Sequence, residues 1–235
     1  MRAFHNDPAI KEKYLARVRA HRLADEIVHG FYWEHGKGCA VGCTVHSGEH
    51  SAYETELGIP CPLARLEDGI FEGMKNGDSL LWPEHFLDSI HVGSDLCLIT
   101  GLFLHWLLVD PKDGVIRFAK SARSRTAIET VAALYVRQND GEVIASEEWR
   151  AAAEAAEAAY AVEAAYAAEA AAYAAVAAEA AAADDAAAAA DAAEAAAEAA
   201  AYAAANADTA AWKSAKTKAR KRQSEKLLDL LMECK

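Results

Sequence analysis

The chain has 235 residues and a formal net charge of −12 at pH 7, a size that allows one large domain or two small ones. Its five cysteines are odd in number and unevenly spaced, which excludes the disulfide framework of a small secreted protein. The most apolar run, over residues 96–109, is too short to span a bilayer, and the first residues contain no apolar signal-peptide core. We therefore expect a cytoplasmic protein without a membrane partner.

The first predicted helix begins at Asp7, a residue type that caps helix N-termini, with Pro8 at the first helical position. Apolar residues at helical spacing continue to about Gly30, which can end the helix. The glycine-rich stretch GKGCAVGC over 36–43 follows as a predicted loop. Shorter helices are then predicted over 51–57, 62–74 and 79–90.

Two longer helices are predicted in the next part of the chain. One begins at Ser94 and Asp95 and ends at the turn over 110–114, and the other covers 116–137. Nowhere do apolar and polar residues alternate over the length that a strand needs. The sequence therefore predicts an all-α fold with more than about 60% helix and no sheet of more than two strands.

Alanine dominates the following part of the sequence. Residues 151–210 contain 41 alanines and eleven acidic residues, with no Gly, Pro, Lys or Arg. Because alanine is the best helix former, this stretch is predicted to be helical. Cap-forming residues cluster near Asp184 and Asn206, which predicts three closely packed helices with breaks at those points, over 147–183, 186–205 and 208–233.

The change in composition near residue 140 predicts two domains. The first, over 1–140, is a bundle of short and long helices around an apolar core, and the second, over 141–235, contains the alanine-rich helices and a basic C-terminal helix. A basic helix lying against the acidic ones explains this patch more economically than nucleic-acid contact does. The basic residues are Lys213, Lys216, Lys218, Arg220, Lys221 and Arg222.

Four side chains capable of metal binding or nucleophilic chemistry recur at helical spacing: Cys39, Cys43, His46 and His50. On one helix all four would share a face, and two cysteines with two histidines form a valid zinc set. A Cys–His pair could instead act as nucleophile and base, because a helix N-terminus and the nearby Lys37 would lower the pKa of a thiol. Cysteines are also often simply buried. We predict that both cysteines are buried without a metal and that their loop packs against the helix that begins at Asp7.

Acidic residues suggest a second kind of metal site. Helical bundles build such sites from Glu-x-x-His on two helices, and only Glu26 and His29 have this spacing. The remaining carboxylates are therefore predicted to lie on solvated helix faces. These are Glu54, Glu56, Glu67, Asp68 and Glu72.

Two resemblances bear on function. The segments GKGCAVGCT over 36–44, YETELGIP over 53–60 and LED over 66–68 resemble a family of uncharacterised proteins from bacteria and their phages, over roughly residues 5–140. That family implies no activity. The Ala-Ala-Tyr-Ala-Ala pattern around Tyr166, Tyr173 and Tyr202 is similar to the alanine-rich helices of immunity proteins in bacterial toxin systems. Together they imply a prokaryotic or phage setting.

The leading hypothesis is a helical interaction protein that binds and inhibits or neutralises a macromolecular partner, by toxin immunity or by anti-CRISPR-like phage counter-defence. We expect a protein partner rather than nucleic acid, no cofactor, and partner contacts through the aromatic anchors Tyr160, Tyr202 and Trp212. The alternative is an enzyme or metal-binding module centred on the four Cys and His residues between Cys39 and His50.

Overall fold

The computed structural model describes residues 1–163, 191–192, 194–196 and 209–234. This described part is mostly helical, and its only sheet is an antiparallel pair of two-residue strands, which confirms the predicted fold class. The chain divides into two compact units, Met1–Ile99 with Ser224–Lys235 and Thr100–Gln223. Within the described ranges, no helix is both long and apolar enough to cross a membrane.

The helices are numbered in chain order over the described residues. They are α1 (Pro8–Leu23), α2 (Ala40–Val45), α3 (Ala52–Leu57), α4 (Cys61–Gly73), α5 (Asn76–Ser89), α6 (Ile99–Val109), α7 (Ala122–Asn139), α8 (Ser146–Glu163) and α9 (Thr209–Glu233). The strands β1 (Trp33–Glu34) and β2 (Lys37–Gly38) form the hairpin, and short 3-10 helices cover Ala3–Asn6 and Val115–Phe118.

Helix α1 begins where the sequence predicts but ends earlier. The Asp7 carboxylate accepts a hydrogen bond from the Ala9 N–H at 2.8 Å, as expected for an N-cap. The predicted continuation to Gly30 is wrong, because the chain turns out of the helix at Asp25, whose φ is 57°. The next residues pair with Gly38, whose N–H donates to the Glu26 carbonyl at 3.1 Å. Tertiary pairing thus overrides the helical periodicity of this segment.

Helix α4 supplies much of the core of the first unit, where it packs against α2, α3 and α5. Helix α1 packs against α2 and α5. The buried face of α4 has the spacing i, i+3, i+4, i+7 and i+8 of an amphipathic helix. Its residues are Leu63, Leu66, Glu67, Ile70 and Phe71.

In the second unit, α7 packs against α8, with the Tyr135 and Trp149 rings 4.9 Å apart. The buried stripe of α8 consists largely of alanines, which lets a neighbouring helix approach closely. Helix α6 begins at Ile99, later than predicted, because the Asp95 carboxylate accepts the Cys97 N–H at 3.2 Å in a local turn. The stripe of α8 contains Ala152, Ala153, Ala156 and Ala159.

Several predictions for the alanine-rich stretch lie outside the described residues. These include the helix breaks near Asp184 and Asn206. Helices α8 and α9 begin at Ser146 and Thr209, close to the predicted starts of the first and third alanine-rich helices. The domain boundary at residue 140 falls within the second unit and stays a prediction.

Candidate functional site

The glycine-rich stretch lies directly against the backbone of Tyr32. A Cβ atom added at Gly42 would lie 1.5 Å from the Tyr32 carbonyl oxygen, and one added at Gly38 would lie 2.1 Å from it. The Cys39 N–H donates to the Phe31 carbonyl at 2.7 Å. These glycines are therefore required for close backbone approach, and they fix the loop that precedes β1.

The same stretch is tied to α1. The Arg17 guanidinium donates from Nη1 to the Thr44 carbonyl at 2.8 Å, at the end of α2. The Cys43 thiol donates to the Gly38 carbonyl at 3.3 Å. This confirms the prediction that the loop packs against the first helix, and it gives the loop a rigid support.

Five side chains form a partly exposed group at this point, which we call the aromatic surface: the exposed Phe31, Tyr32 and His46 and the half-buried His21 and Trp33. Phe31 and Tyr32 are 58% and 56% exposed. The Trp33 ring stacks on His46, with centroids 4.4 Å apart and planes 11° apart, and His21 contacts both rings edge-on. Large exposed aromatic side chains on a rigid loop are unusual for a surface that meets only water.

The two histidines of the aromatic surface are hydrogen-bonded to each other. His21 Nδ1 lies 2.7 Å from a Glu26 carboxylate oxygen, and His21 Nε2 lies 2.8 Å from His46 Nε2. Since a carboxylate only accepts, neutral His21 carries its proton on Nδ1 and accepts at Nε2 from the His46 N–H. Partial burial and the nearby Arg17 and His21 lower the pKa of His46. The pair therefore offers oriented polar groups beside the aromatic rings.

No known protein family, curated protein or solved structure matches this chain. The two resemblances drawn from the sequence therefore stay expectations.

The structure does not place the four predicted Cys and His residues on one helix. Cys39 and Cys43 are 1% and 0% exposed, which confirms their predicted burial. His46 has a φ of 55° and ends α2, so the four side chains do not share one helix face. His50 Nε2 lies 3.2 Å from an Asp68 carboxylate oxygen, the same carboxyl group is hydrogen-bonded with Cys39, and the Tyr32 ring lies edge-on to His50 with centroids 5.6 Å apart. Among the described residues, no group of three or more His, Cys, Asp or Glu side chains is placed to hold a metal ion.

Burial changes the chemistry of both thiols. It raises the pKa of Cys39 far above its usual value, and the neighbouring Asp68 carboxylate adds to this shift. Burial also raises the pKa of Cys43 to about 12. From the sequence, a helix N-terminus and the nearby Lys37 were expected to lower the pKa of a thiol instead. Because the thiolate is the nucleophile, this arrangement favours two protonated structural cysteines.

We expect iodoacetamide to modify Cys39 and Cys43 of the native protein at least about 100-fold more slowly than the exposed Cys97. The reason is that both thiols are buried and protonated. Fragment-ion mass spectrometry over a labelling time course gives the rate at each cysteine, because Cys39, Cys43 and Cys61 lie on one tryptic peptide over 38–65. In guanidinium chloride all three should react at similar rates, and native Cys39 reacting as fast as Cys97 would show an accessible thiolate.

Two of the predicted solvated carboxylates are buried, so that prediction is wrong for Glu67 and Asp68. Glu67 is 0% exposed and Asp68 is 7% exposed. The Tyr53 hydroxyl donates to Glu67 Oε2 at 2.6 Å, while Glu67 Oε1 is buried without a hydrogen-bond partner. Burial raises the pKa of Glu67 well above its usual value. The helical spacing of Glu67 with Leu63 and Ile70 was the available signal for this burial.

The basic helix lies against an acidic residue, as predicted. In the second unit, Lys216 and Arg220 of α9 both form ion pairs with Glu194. Arg220 is 2% exposed and also donates to the Gln223 side chain at 3.0 Å. This part of the basic patch is therefore structural.

The predicted partner anchors are only partly described. Tyr160 is a half-buried residue of α8. Trp212 belongs to α9, and its side chain lies outside what the structure describes, as does all of Tyr202. The sequence interpretation missed Phe31 and Tyr32, whose significance depends on glycines several residues further along the chain.

Proposed function

We propose that this chain is an interaction protein that binds and inhibits or neutralises a protein partner through the aromatic surface. The observation that supports this most is the close approach of Gly38 and Gly42 to Tyr32. This contact, together with the hydrogen bond from the Cys39 N–H to the Phe31 carbonyl, holds the backbone of Phe31 and Tyr32 in one conformation. A toxin or a host defence protein is the partner class that the sequence resemblances favour.

A rigid aromatic loop is well suited to binding. Tyr and Trp are enriched among the residues that dominate binding energy at protein interfaces. A loop that is already ordered loses little conformational entropy on association, so more of the contact energy appears as affinity. Phe31 and Tyr32 present apolar area for a partner to bury, and His46, which is hydrogen-bonded to His21, places a polar ring beside it.

The buried cysteines favour binding over covalent chemistry. A nucleophilic thiol needs an accessible thiolate, whereas Cys39 and Cys43 are buried and their pKa values are raised. Binding alone is sufficient for a protein that acts by occupying a site on its partner. We therefore place the function in recognition rather than in turnover.

The test compares four full-length baits in extracts of the native host: wild type, Phe31→Ala/Tyr32→Ala, Val143→Ala and Trp212→Ala. Val143 is 94% exposed and belongs to the other unit, so its substitution removes exposed apolar area, smaller than that of the double variant, at a site outside the aromatic surface. A protein retained by wild type and Val143→Ala should fall by at least about tenfold with the double variant. Quantitative mass spectrometry measures the retention.

Purified partner then tests inhibition directly. Its activity should fall to a minimum at one equivalent of this chain, and the double variant should not inhibit at the same concentration. Because the aromatic surface is largely uncharged, affinity should change by less than about tenfold between 50 and 200 mM salt. Equal capture by wild type and the double variant contradicts the proposed surface. Loss with Trp212→Ala alone places the contact in the alanine-rich half instead.

A further inference from the structure

The second unit contains a cavity of about 440 Å³ that the proposed function does not use. This volume lies within the range of small-molecule sites. Four cationic side chains and one carboxylate, that of Asp113, line it, together with the rings of Trp106 and Phe118. Such a concentration of positive charge is unexpected in a chain of net charge −12. The cationic residues are Lys112, Arg117, Lys218 and Arg222.

Helix α9 divides its basic residues between two stripes. Lys216 and Arg220 pair with Glu194. Lys218 and Arg222, which are four residues apart and so share another stripe, line the cavity. Their neighbours in that wall include alanines at 215 and 219, whose small side chains leave space between the charged groups. The basic patch therefore has a second part, which lines the cavity.

The opposite wall is held in shape by a tight turn. One Asp110 carboxylate oxygen accepts the N–H groups of Lys112 and Asp113 at 2.8 and 2.7 Å. A Cβ at Gly114 would lie 2.4 Å from the Asp110 nitrogen, so only glycine fits there. The Arg117 guanidinium donates to the Lys112 carbonyl and lies over the Phe118 ring, 5.4 Å from its centroid. These contacts fix a cation beside an aromatic face.

We propose that this cavity binds a nucleoside phosphate. Arg and Lys are the residues that bind phosphate oxygens, and four of them line this cavity. The aromatic rings of Trp106 and Phe118 supply flat apolar faces for a base. A cavity of about 440 Å³ is larger than a single phosphate ion requires, so the ligand also carries an organic group.

A nucleoside phosphate can come from a free nucleotide or from a strand of RNA or DNA. Single-strand sites extend along a groove with successive stacking platforms. This cavity has two aromatic rings and the volume of one compact ligand. The geometry therefore favours a free nucleotide.

The experiment is calorimetric titration of the full-length protein with ATP, GTP, UTP, inorganic phosphate and a five-nucleotide oligouridine. We expect at least one nucleoside triphosphate to bind with 1:1 stoichiometry and phosphate to bind at least about tenfold more weakly. Lys218→Gln/Arg222→Gln should weaken nucleotide binding by about tenfold or more. Lys213→Gln/Lys221→Gln removes the same charge from exposed positions of the same helix and should change affinity by less than about twofold.

A third variant, Ala219→Leu, fills the cavity from a position that carries no charge and should abolish binding. Circular dichroism checks that each variant keeps its helices. If the leucine variant does not fold, the comparison between the two glutamine variants decides the result. The proposal is overturned if no nucleotide binds more tightly than about 1 mM, or if both glutamine pairs have the same effect. Oligouridine binding more than about tenfold tighter than UTP would overturn the choice of a free nucleotide.

Discussion

Gly42→Ala should destabilise the protein by about 3 kcal/mol or more. The added Cβ would lie 1.5 Å from the Tyr32 carbonyl oxygen and 2.6 Å from its carbonyl carbon. Both are backbone atoms, so no side-chain rotation relieves the overlap, and the loop before β1 must move. Urea denaturation followed by far-UV circular dichroism measures the loss, and binding through the aromatic surface should weaken with it.

Gly77→Ala is the matched control for this substitution. Gly77 lies in the first turn of α5, is exposed, and has no atom within 4 Å of an added Cβ. Since alanine is the better helix former, the change should stabilise the protein by about 0.5 kcal/mol. A Gly42→Ala protein as stable as Gly77→Ala would mean that the backbone contact with Tyr32 is not made in solution.

Glu67→Gln should remove a dependence of stability on pH. Burial raises the pKa of Glu67 in the folded state well above its usual value of 4.5, so the folded protein binds this proton more tightly than the unfolded chain does. The resulting stabilisation is complete below pH 4.5 and is lost as the pH rises toward the folded pKa. Over that window wild type loses up to about 1.4 kcal/mol per pH unit through this group.

The glutamine variant cannot ionise, so the difference between variant and wild type should favour the variant increasingly as the pH rises from 4.5 toward the folded-state pKa of Glu67. Urea denaturation at four pH values gives this difference, in which the other titrating groups largely cancel. A constant offset of about 1 kcal/mol from the changed hydrogen bond with Tyr53 is separate from the slope. Glu12→Gln, which removes an exposed carboxylate of α1, controls for the loss of one charge. A flat difference for Glu67→Gln would show that Glu67 is ionised in the folded protein.

The parts of the fold set by local chemistry were predictable from the sequence. Asp7 with Pro8 starts α1, and Gly58 ends α3 with a φ of 65°, because caps and left-handed positions depend on neighbouring residues alone. The end of α1 was not predictable in this way. It depends on pairing of residues 26–28 with Gly38, a contact that no local pattern encodes.

The candidate site was predictable only in part. The glycine-rich stretch was conspicuous, but its partner Tyr32 is identified only by the tertiary contact. The burial of Cys39 and Cys43 was predictable because cysteine is often buried. For Glu67 the two signals disagreed, since its charge indicates exposure and its position on the helix indicates burial. Helical register placed Glu67 between Leu63 and Ile70, and the 0% exposure of all three shows that register was the better guide.

The contact between the glycines and Tyr32 also separates two roles along the chain. Gly38 and Gly42 constrain the backbone of residue 32, while the side chains of Phe31 and Tyr32 extend into solvent. Substitutions at Phe31 therefore alter the chemistry presented to a partner while the glycine contacts with residue 32 remain, whereas the Tyr32 ring also lies edge-on to buried His50, with centroids 5.6 Å apart. Such a division allows binding specificity to diversify under selection while the stability of the fold is preserved, as in the variable loops of antibodies.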